Sequence, residues 1–174
     1  MKYFQRLREG VETARLLNLL LVNPRWWDAD PVRRSFPGSA HIEASDILLR
    51  WGENSLDAIP AWDREPMKAM PAFKETAVAI MQTLKGVQLG RVIVTRLPPG
   101  GRITPHIDGG LNAEFYTRTH LVLHGRPGNM FTSGDETVQM LTGEVWWFEN
   151  KQQHSCINNS DDDRVHLIVD IRVD

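Results

Sequence analysis

The feature that most narrows the fold is a change of hydrophobic period at Gly86. Before it, "AFKETAVAIMQTL" puts Phe73, Ala77, Ile80, Met81 and Leu84 on one face of a helix over about 72–84, with Gly86 as its stop. After it, apolar residues alternate in short runs: "VQLGRVIVTRL", "THLVLHG", "ETVQML", "EVWWFE" and "RVHLIVDIRV". Such runs, separated by turn residues, read as strands. "PPGGRI" and "LTGE" read as turns and "RPGNMF" as a loop. Upstream, Leu7, Val11, Ala14, Leu17 and Leu21 recur at helical steps, predicting a helix over 5–22 that ends at Asn23-Pro24. Residues 24–63 read as irregular, with "DILLRW" as a short strand. Two helices followed by six or seven strands imply a mainly β fold, a sandwich or jelly roll with the N-terminal helices packed on one outer face. The expected organisation is a single domain over 1–174, helical and irregular over 1–86 and β over 87–174.

Bulk properties remove several classes of function. With 174 residues the chain is long enough for a real core, and its net charge of −2 offers no bulk attraction to nucleic acid or a membrane surface. The single cysteine, Cys156, cannot form an internal disulfide, which fits a reducing compartment. The apolar run "LLNLLLV" is too short to span a bilayer, and no small-residue cleavage site follows it. The expectation is a soluble, cytoplasmic protein with no nucleic-acid or membrane partner. Its oligomeric state leaves no mark in the sequence.

The chemistry starts at "TPHIDGG". Residues two apart on a strand share a face, so His106 and Asp108 at a strand end can look into one interior. His154 offers a third ligand. Two histidines and a carboxylate with open positions form the facial triad of non-heme Fe(II) oxygenases, although zinc accepts the same ligands. Arg164, ten residues after His154 at the start of "RVHLIVD", separates the two. Its planar fork suits a carboxylate, which an oxygenase using 2-oxoglutarate needs and a zinc hydrolase does not.

His106-x-Asp108, His154 and Arg164 at this spacing resemble the Fe(II)/2-oxoglutarate-dependent dioxygenases. Over about 87–172, the strand beginning Arg118-Thr119-His120-Leu121, the block "TGEVWWFENKQQHSCINNS" and "RVHLIVDI" resemble the aspartyl/asparaginyl β-hydroxylase branch. The resemblance implies a double-stranded β-helix (jelly roll, cupin-like). It implies Fe(II) held by His106, Asp108 and His154, and 2-oxoglutarate held by Arg164 with His120 and Arg118 assisting. It also implies O₂ as oxidant, with succinate and CO₂ released as an amino-acid-type substrate is hydroxylated. That substrate is a free amino acid or an Asp or Asn in a peptide. The animal members of the branch lack the carboxylate ligand. Asp108 therefore implies the complete triad, and it argues against halogenation, which needs that position free.

Each residue also has a plainer reading. A His-x-Asp pair is commonly a strand-end hydrogen bond, His154 alone would be a surface histidine, and Arg164 would pair with Asp161, Asp162 or Asp163. His124 and His166 read as rim or core histidines, and His41 as a surface one. Only one of Trp146 and Trp147 is expected to face the interior. Cys156 is expected to line it as a small apolar residue. Substrate contacts are expected from the irregular N-terminal segment and from loops such as 109–117 and 126–134, with Arg50 or Arg102 as candidates to hold a substrate carboxylate. The rival functions are a non-catalytic cupin-like metal or ligand binder and a zinc hydrolase.

Overall fold

A computed structural model describes residues 1–52 and 60–174; part of the stretch read as irregular, 53–59, lies outside the described residues. In chain order the strands are β1 (Phe4–Arg8), β2 (Ser45–Trp51), β3 (Trp62–Asp63), β4 (Gln88–Leu97), β5 (Arg102–His106), β6 (Thr117–His124), β7 (Asn129–Ser133), β8 (Glu136–Gln139), β9 (Val145–Phe148), β10 (His154–Asn158) and β11 (Arg164–Arg172). The helices are α1 (Ala14–Val22), α2 (Val32–Ser35), α3 (Glu65–Ala69), α4 (Ala72–Thr83) and α5 (Gly110–Phe115), with a 3₁₀ turn at Pro24–Trp26.

The strands form two sheets, a seven-stranded one ordered β1-β9-β6-β11-β4-β2-β3 and a four-stranded one ordered β5-β10-β7-β8. From β4 onward the chain passes back and forth between them, which is the path of a double-stranded β-helix. The jelly roll and its outer helices are thus as the sequence implies. The boundary at residue 86 is not structural, because β1, β2 and β3 extend the larger sheet.

Alternation sorts the two sides of that sheet. Leu121, Leu123, Val165, Leu167, Val169 and Ile171 pack outward against Leu16, Leu20, Met67, Met70, Phe73, Ala77 and Ile80 of the helices. The opposite side meets the smaller sheet around Phe4, Leu97, Ile103, Val122, Phe131, Trp146, Phe148 and Cys156. Burial of this much apolar surface on both sides stabilises the sheet where it stands.

Several local expectations change. The helix predicted over 5–22 is strand β1 followed by the shorter α1, with Leu16 and Leu20 inward and Leu21 exposed. β1 wins over the helical period because Phe4 pairs across from Phe148 and fills the interior between Phe131 and Trp146. α4 ends as expected, but Lys85, not Gly86, takes the left-handed conformation (φ 54°). The Lys85 and Gly86 amides close a Schellman motif on the Gln82 and Met81 carbonyls. Gly86 is required for another reason: a Cβ there would stand 2.3 Å from Ile171 Cγ2. "NMF", read as loop, belongs to β7, and the polar "HSCIN" is β10. β8 and β9 flank the "LTGE" turn but sit in different sheets. Residues 110–115, expected as loop, form α5.

Candidate active site

β10 lies between β5 and β7, and its register sets His154 directly across from His106. Their ring centroids are 4.2 Å apart. Asp108 follows just past the end of β5, where its backbone N–H donates to the Asn150 carbonyl at 3.1 Å. The ligating atoms of His106, Asp108 and His154 all lie within 4.8 Å of one another. The structure brings together the three residues the sequence nominated, and His154 is a buried strand residue, not a surface loop histidine.

Both imidazoles are oriented by the same device. His106 Nδ1 lies 2.8 Å from the Thr104 carbonyl and His154 Nδ1 lies 3.0 Å from the Gln152 carbonyl. A carbonyl only accepts, so each Nδ1 carries a proton, which leaves Nε2 as the nitrogen of each ring able to ligate a metal. Those Nε2 atoms face Asp108, at 3.7 Å and 4.0 Å from its two oxygens. Burial, partly offset by Asp108, pushes His154 down to about 4, so its ring is neutral at physiological pH. Burial alone would raise Asp108. The Arg118 guanidinium, then His154 and the Asn150 amide, outweigh it and hold the carboxyl well below the usual carboxylate range. Two imidazoles turned through Nε2 toward an ionised carboxylate suit a divalent first-row metal.

Arg118, on β6, donates to Asp108 Oδ2 at 2.6 Å and binds both oxygens of Asp170 through Nε and Nη2, at 2.8 and 3.0 Å. Asn150 Nδ2 donates to the same Asp108 oxygen at 3.1 Å.

Behind the triad is a small chamber of about 30 Å³, walled in part by His106, His154, Phe131, His120, Cys156 and Arg164. Arg164 is among the largest fully buried side chains, and burial lowers its affinity for a proton. Among the described residues no carboxylate pairs with it. Among the described residues its guanidinium makes one hydrogen bond, from Nη2 to His166 Nδ1 at 3.1 Å. The nearby acids are engaged elsewhere, Asp162 with His124 and Arg126 and Asp163 with Arg96. Among the described residues His120 Nε2 is buried without a partner, and burial, then Arg164 and Arg118, hold its ring neutral. A buried cation without a counter-charge awaits an anionic occupant, and the unpaired ring nitrogen on the same wall awaits a polar one.

In front of the triad a wider cavity of about 330 Å³ opens between Arg33, His41, Trp51, Arg91, Asn112 and the His106–Asp108 edge. Arg33, His41, His106 and Arg118 line both spaces. Arg33 is ion-paired with buried Asp46 at 2.6 Å, and its other terminal nitrogen lies 3.2 Å from His41 Nε2. His41 was expected at the surface, but its ring stands 5.0 Å from His106 and burial lowers its affinity for a proton. Gly109, Asn112 and Ala113 of the expected 109–117 segment line this cavity, while Phe131 is the contribution of 126–134 to the inner chamber. Arg50 is held by Asp63 and Arg102 lies exposed on β5, and neither lines either space.

Sequence reasoning singled out neither Arg33, Asn150 nor Asp170 and favoured the surface for His41, although Arg33 and His41 lie in the irregular segment from which substrate contacts were expected. Asp170 had a signal: it continues the inward alternation Arg164, His166, Ile168 along β11. Arg33 and His41 lie in an irregular segment with no period to read.

A jelly roll with two histidines and a carboxylate converging at one end of its interior is a β-helix with a candidate metal site. Residues 29–173 match the family model described as Aspartyl/Asparaginyl beta-hydroxylase, and the chain belongs to that family. The match reaches well upstream of residue 87, where the visible resemblance began. The chain is 28% identical over 152 residues to an L-proline cis-3-hydroxylase from a Streptomyces species, covering 86% of this chain and 48% of that protein. It is 34% identical over 133 residues to an L-proline cis-4-hydroxylase from Rhizobium meliloti, covering 74% and 46%. The chain thus spans about half the length of the curated relatives it matches. Among solved structures, a viral collagen prolyl hydroxylase from Paramecium bursaria Chlorella virus-1 aligns with a TM-score of 0.58 at 10% identity, covering 99% of this chain and 96% of that one. An oxidoreductase of the 2OG-Fe(II) oxygenase family from Burkholderia pseudomallei aligns with a TM-score of 0.59 at 10% identity, covering 82% and 76%. These two likenesses establish the fold. No helix among the described residues is long and apolar enough to cross a membrane.

Proposed function

We propose that the protein is an Fe(II)- and 2-oxoglutarate-dependent hydroxylase of an amino-acid-type substrate. The observation that carries this reading is the pairing of the triad with Arg164, a buried cation without a carboxylate partner on the wall of the same chamber. A zinc hydrolase or a structural metal site gives no reason to bury that charge.

His106, Asp108 and His154 would hold the metal, with the two Nε2 lone pairs and the free Asp108 oxygen as donors. When bound, Fe(II) with 2-oxoglutarate and O₂ supplies the oxidising chemistry that yields succinate and CO₂ and places one oxygen on the substrate. Arg164 would take the co-substrate carboxylate far from the metal by a charge-assisted, two-point hydrogen bond. His120 Nε2 would gain a polar partner in the same chamber. As it stands, the chamber has room for about two water molecules. Co-substrate entry therefore requires its wall to rearrange. The wider cavity would take the substrate, with Arg33 and Arg91 facing an anionic group and Trp51 facing an apolar one. Two curated relatives carry L-proline in their names, which puts free amino acids, proline first, ahead of peptidyl Asp or Asn.

The test is turnover. Purified protein with Fe(II), ascorbate and 2-oxoglutarate should form succinate, and a panel of amino acids and peptides should contain one member that gains one oxygen by mass spectrometry. No succinate with any panel member, under conditions where the metal is bound, sinks the reading.

A further inference from the structure

We infer that Asp170 is a positioning residue for the metal ligand Asp108, acting through Arg118, and that Arg118 therefore serves the metal and not the co-substrate. The inference rests on the reading of the triad as a metal site. It departs from the role that the family resemblance assigns to Arg118.

Strand register sets the pieces. Arg118 on β6 lies directly across from Asp170 on β11, both on the side facing the smaller sheet. Asp170 is 1% exposed, and both its oxygens accept from Arg118. The remaining terminal nitrogen, Nη1, reaches Asp108 Oδ2. That oxygen also takes the Asn150 amide, while the Asn150 carbonyl holds the Asp108 backbone N–H. Asp108 is thus fixed at its backbone and at one oxygen, leaving Oδ1 as the atom turned toward His106 Nε2. Carboxylates that ligate metals depend on such outer hydrogen bonds for orientation.

Charge explains why the second carboxylate is needed. Arg118 alone would cancel Asp108, leaving two imidazoles and a neutralised carboxylate facing a divalent ion. Asp170 supplies the compensating negative charge, so the trio Asp170, Arg118 and Asp108 keeps a net charge of minus one for the metal. The fork also binds Asp170 in a planar, two-point geometry, which fixes the direction in which Nη1 points. Nε, Nη1 and Nη2 each donate one N–H to a carboxylate of the protein itself, so the guanidinium charge is already balanced by Asp108 and Asp170. Arg164, by contrast, has no such commitment to a carboxylate among the described residues.

The test uses Asp170→Asn, which keeps the shape and removes the charge, and Arg118→Lys, which keeps the charge and removes the fork. Binding of Co(II) is measured by anaerobic titration, with the Co(II) absorption spectrum recorded, and 2-oxoglutarate affinity is measured on the metal-loaded protein. Both variants should bind the metal about 10–100-fold more weakly and shift the Co(II) spectrum. Their 2-oxoglutarate affinity, corrected for metal occupancy, should stay within about twofold of wild type, because Arg164 is untouched. Metal affinity and spectrum unchanged in both variants would overturn the inference, as would a loss in Arg118→Lys confined to 2-oxoglutarate. If Asp170→Asn does not fold, Arg118→Lys and Asn150→Ala, which removes the other donor to Oδ2, carry the same two outcomes. Wild type that fails to bind Co(II) at all would instead remove the metal-site reading itself.

Discussion

β11 has two faces that do opposite work. Toward the helices it presents Val165, Leu167, Val169 and Ile171, all in one apolar cluster. Toward the smaller sheet it presents Arg164, His166, Ile168 and Asp170, three of them polar and all buried. The apolar face needs only volume and shape to be stable. The polar face carries desolvation costs that packing cannot recover, and each of its groups is tolerated through a specific partner. Asp170 has Arg118, whereas Arg164 has only a neutral imidazole. The difference teaches where function sits: the outer face holds the fold, and the inner face holds charges that the fold alone would not select.

Substitutions on the two faces should therefore fail in different ways. The largest effect is expected at the triad the inner face serves. His154→Ala should abolish metal binding and succinate formation while leaving a folded protein, as checked by titration and circular dichroism. Arg164→Met comes next. It removes a carboxylate anchor worth about 2 kcal/mol or more, so 2-oxoglutarate should bind at least about 30-fold more weakly. The same change replaces a buried unpaired cation with apolar volume, so the melting temperature should hold or rise. A melting temperature that falls sharply would show that Arg164 is structural. On the outer face, Leu167→Ala should cost about 2–5 kcal/mol in denaturant unfolding and leave metal affinity unchanged.

A smaller effect is expected from pH. Burial, with Arg164 the next cause for both, holds His120 and His166 well below the ordinary histidine value. The unfolded chain takes up their protons below about pH 6.5 and the folded chain does not. Stability of the metal-free protein should thus be level above that pH and fall as pH drops below it, by up to about 1.4 kcal/mol per unit for each histidine. His166→Phe should flatten the slope. The smallest effect is expected at the exposed Arg15–Glu75 pair, 3.3 Å apart, where Arg15→Ala should change stability by less than about 1 kcal/mol.

The same two-faced logic explains what the sequence disclosed. β4, β6 and β11 were legible because β-branched residues and Leu alternate over long runs, and the jelly roll follows from their number and spacing. β10 was not legible: "HSCIN" is short and polar, and becomes a strand because β5 and β7 bracket it from distant parts of the chain. β1 was misread because Leu7 and Val11 fit a helical step by chance, while Phe4, which decides the matter, meets its partners only in the folded interior. The triad and Arg164 were readable because their chemistry is specific at their spacing. Arg33 and His41 were hidden because an irregular segment carries them to the cavity by a path no local pattern encodes.

The central claim is that one interior holds a metal at the triad and a carboxylate at Arg164. An anaerobic calorimetric titration tests it most directly, with Fe(II) added first and 2-oxoglutarate second, on wild type, His106→Ala and Arg164→Met. The account expects one Fe(II) per wild-type chain and 2-oxoglutarate binding that is lost in His106→Ala. In Arg164→Met, Fe(II) should bind normally and 2-oxoglutarate weakly. Wild type that binds Fe(II) but not 2-oxoglutarate, or that binds 2-oxoglutarate equally well without Arg164, would contradict it.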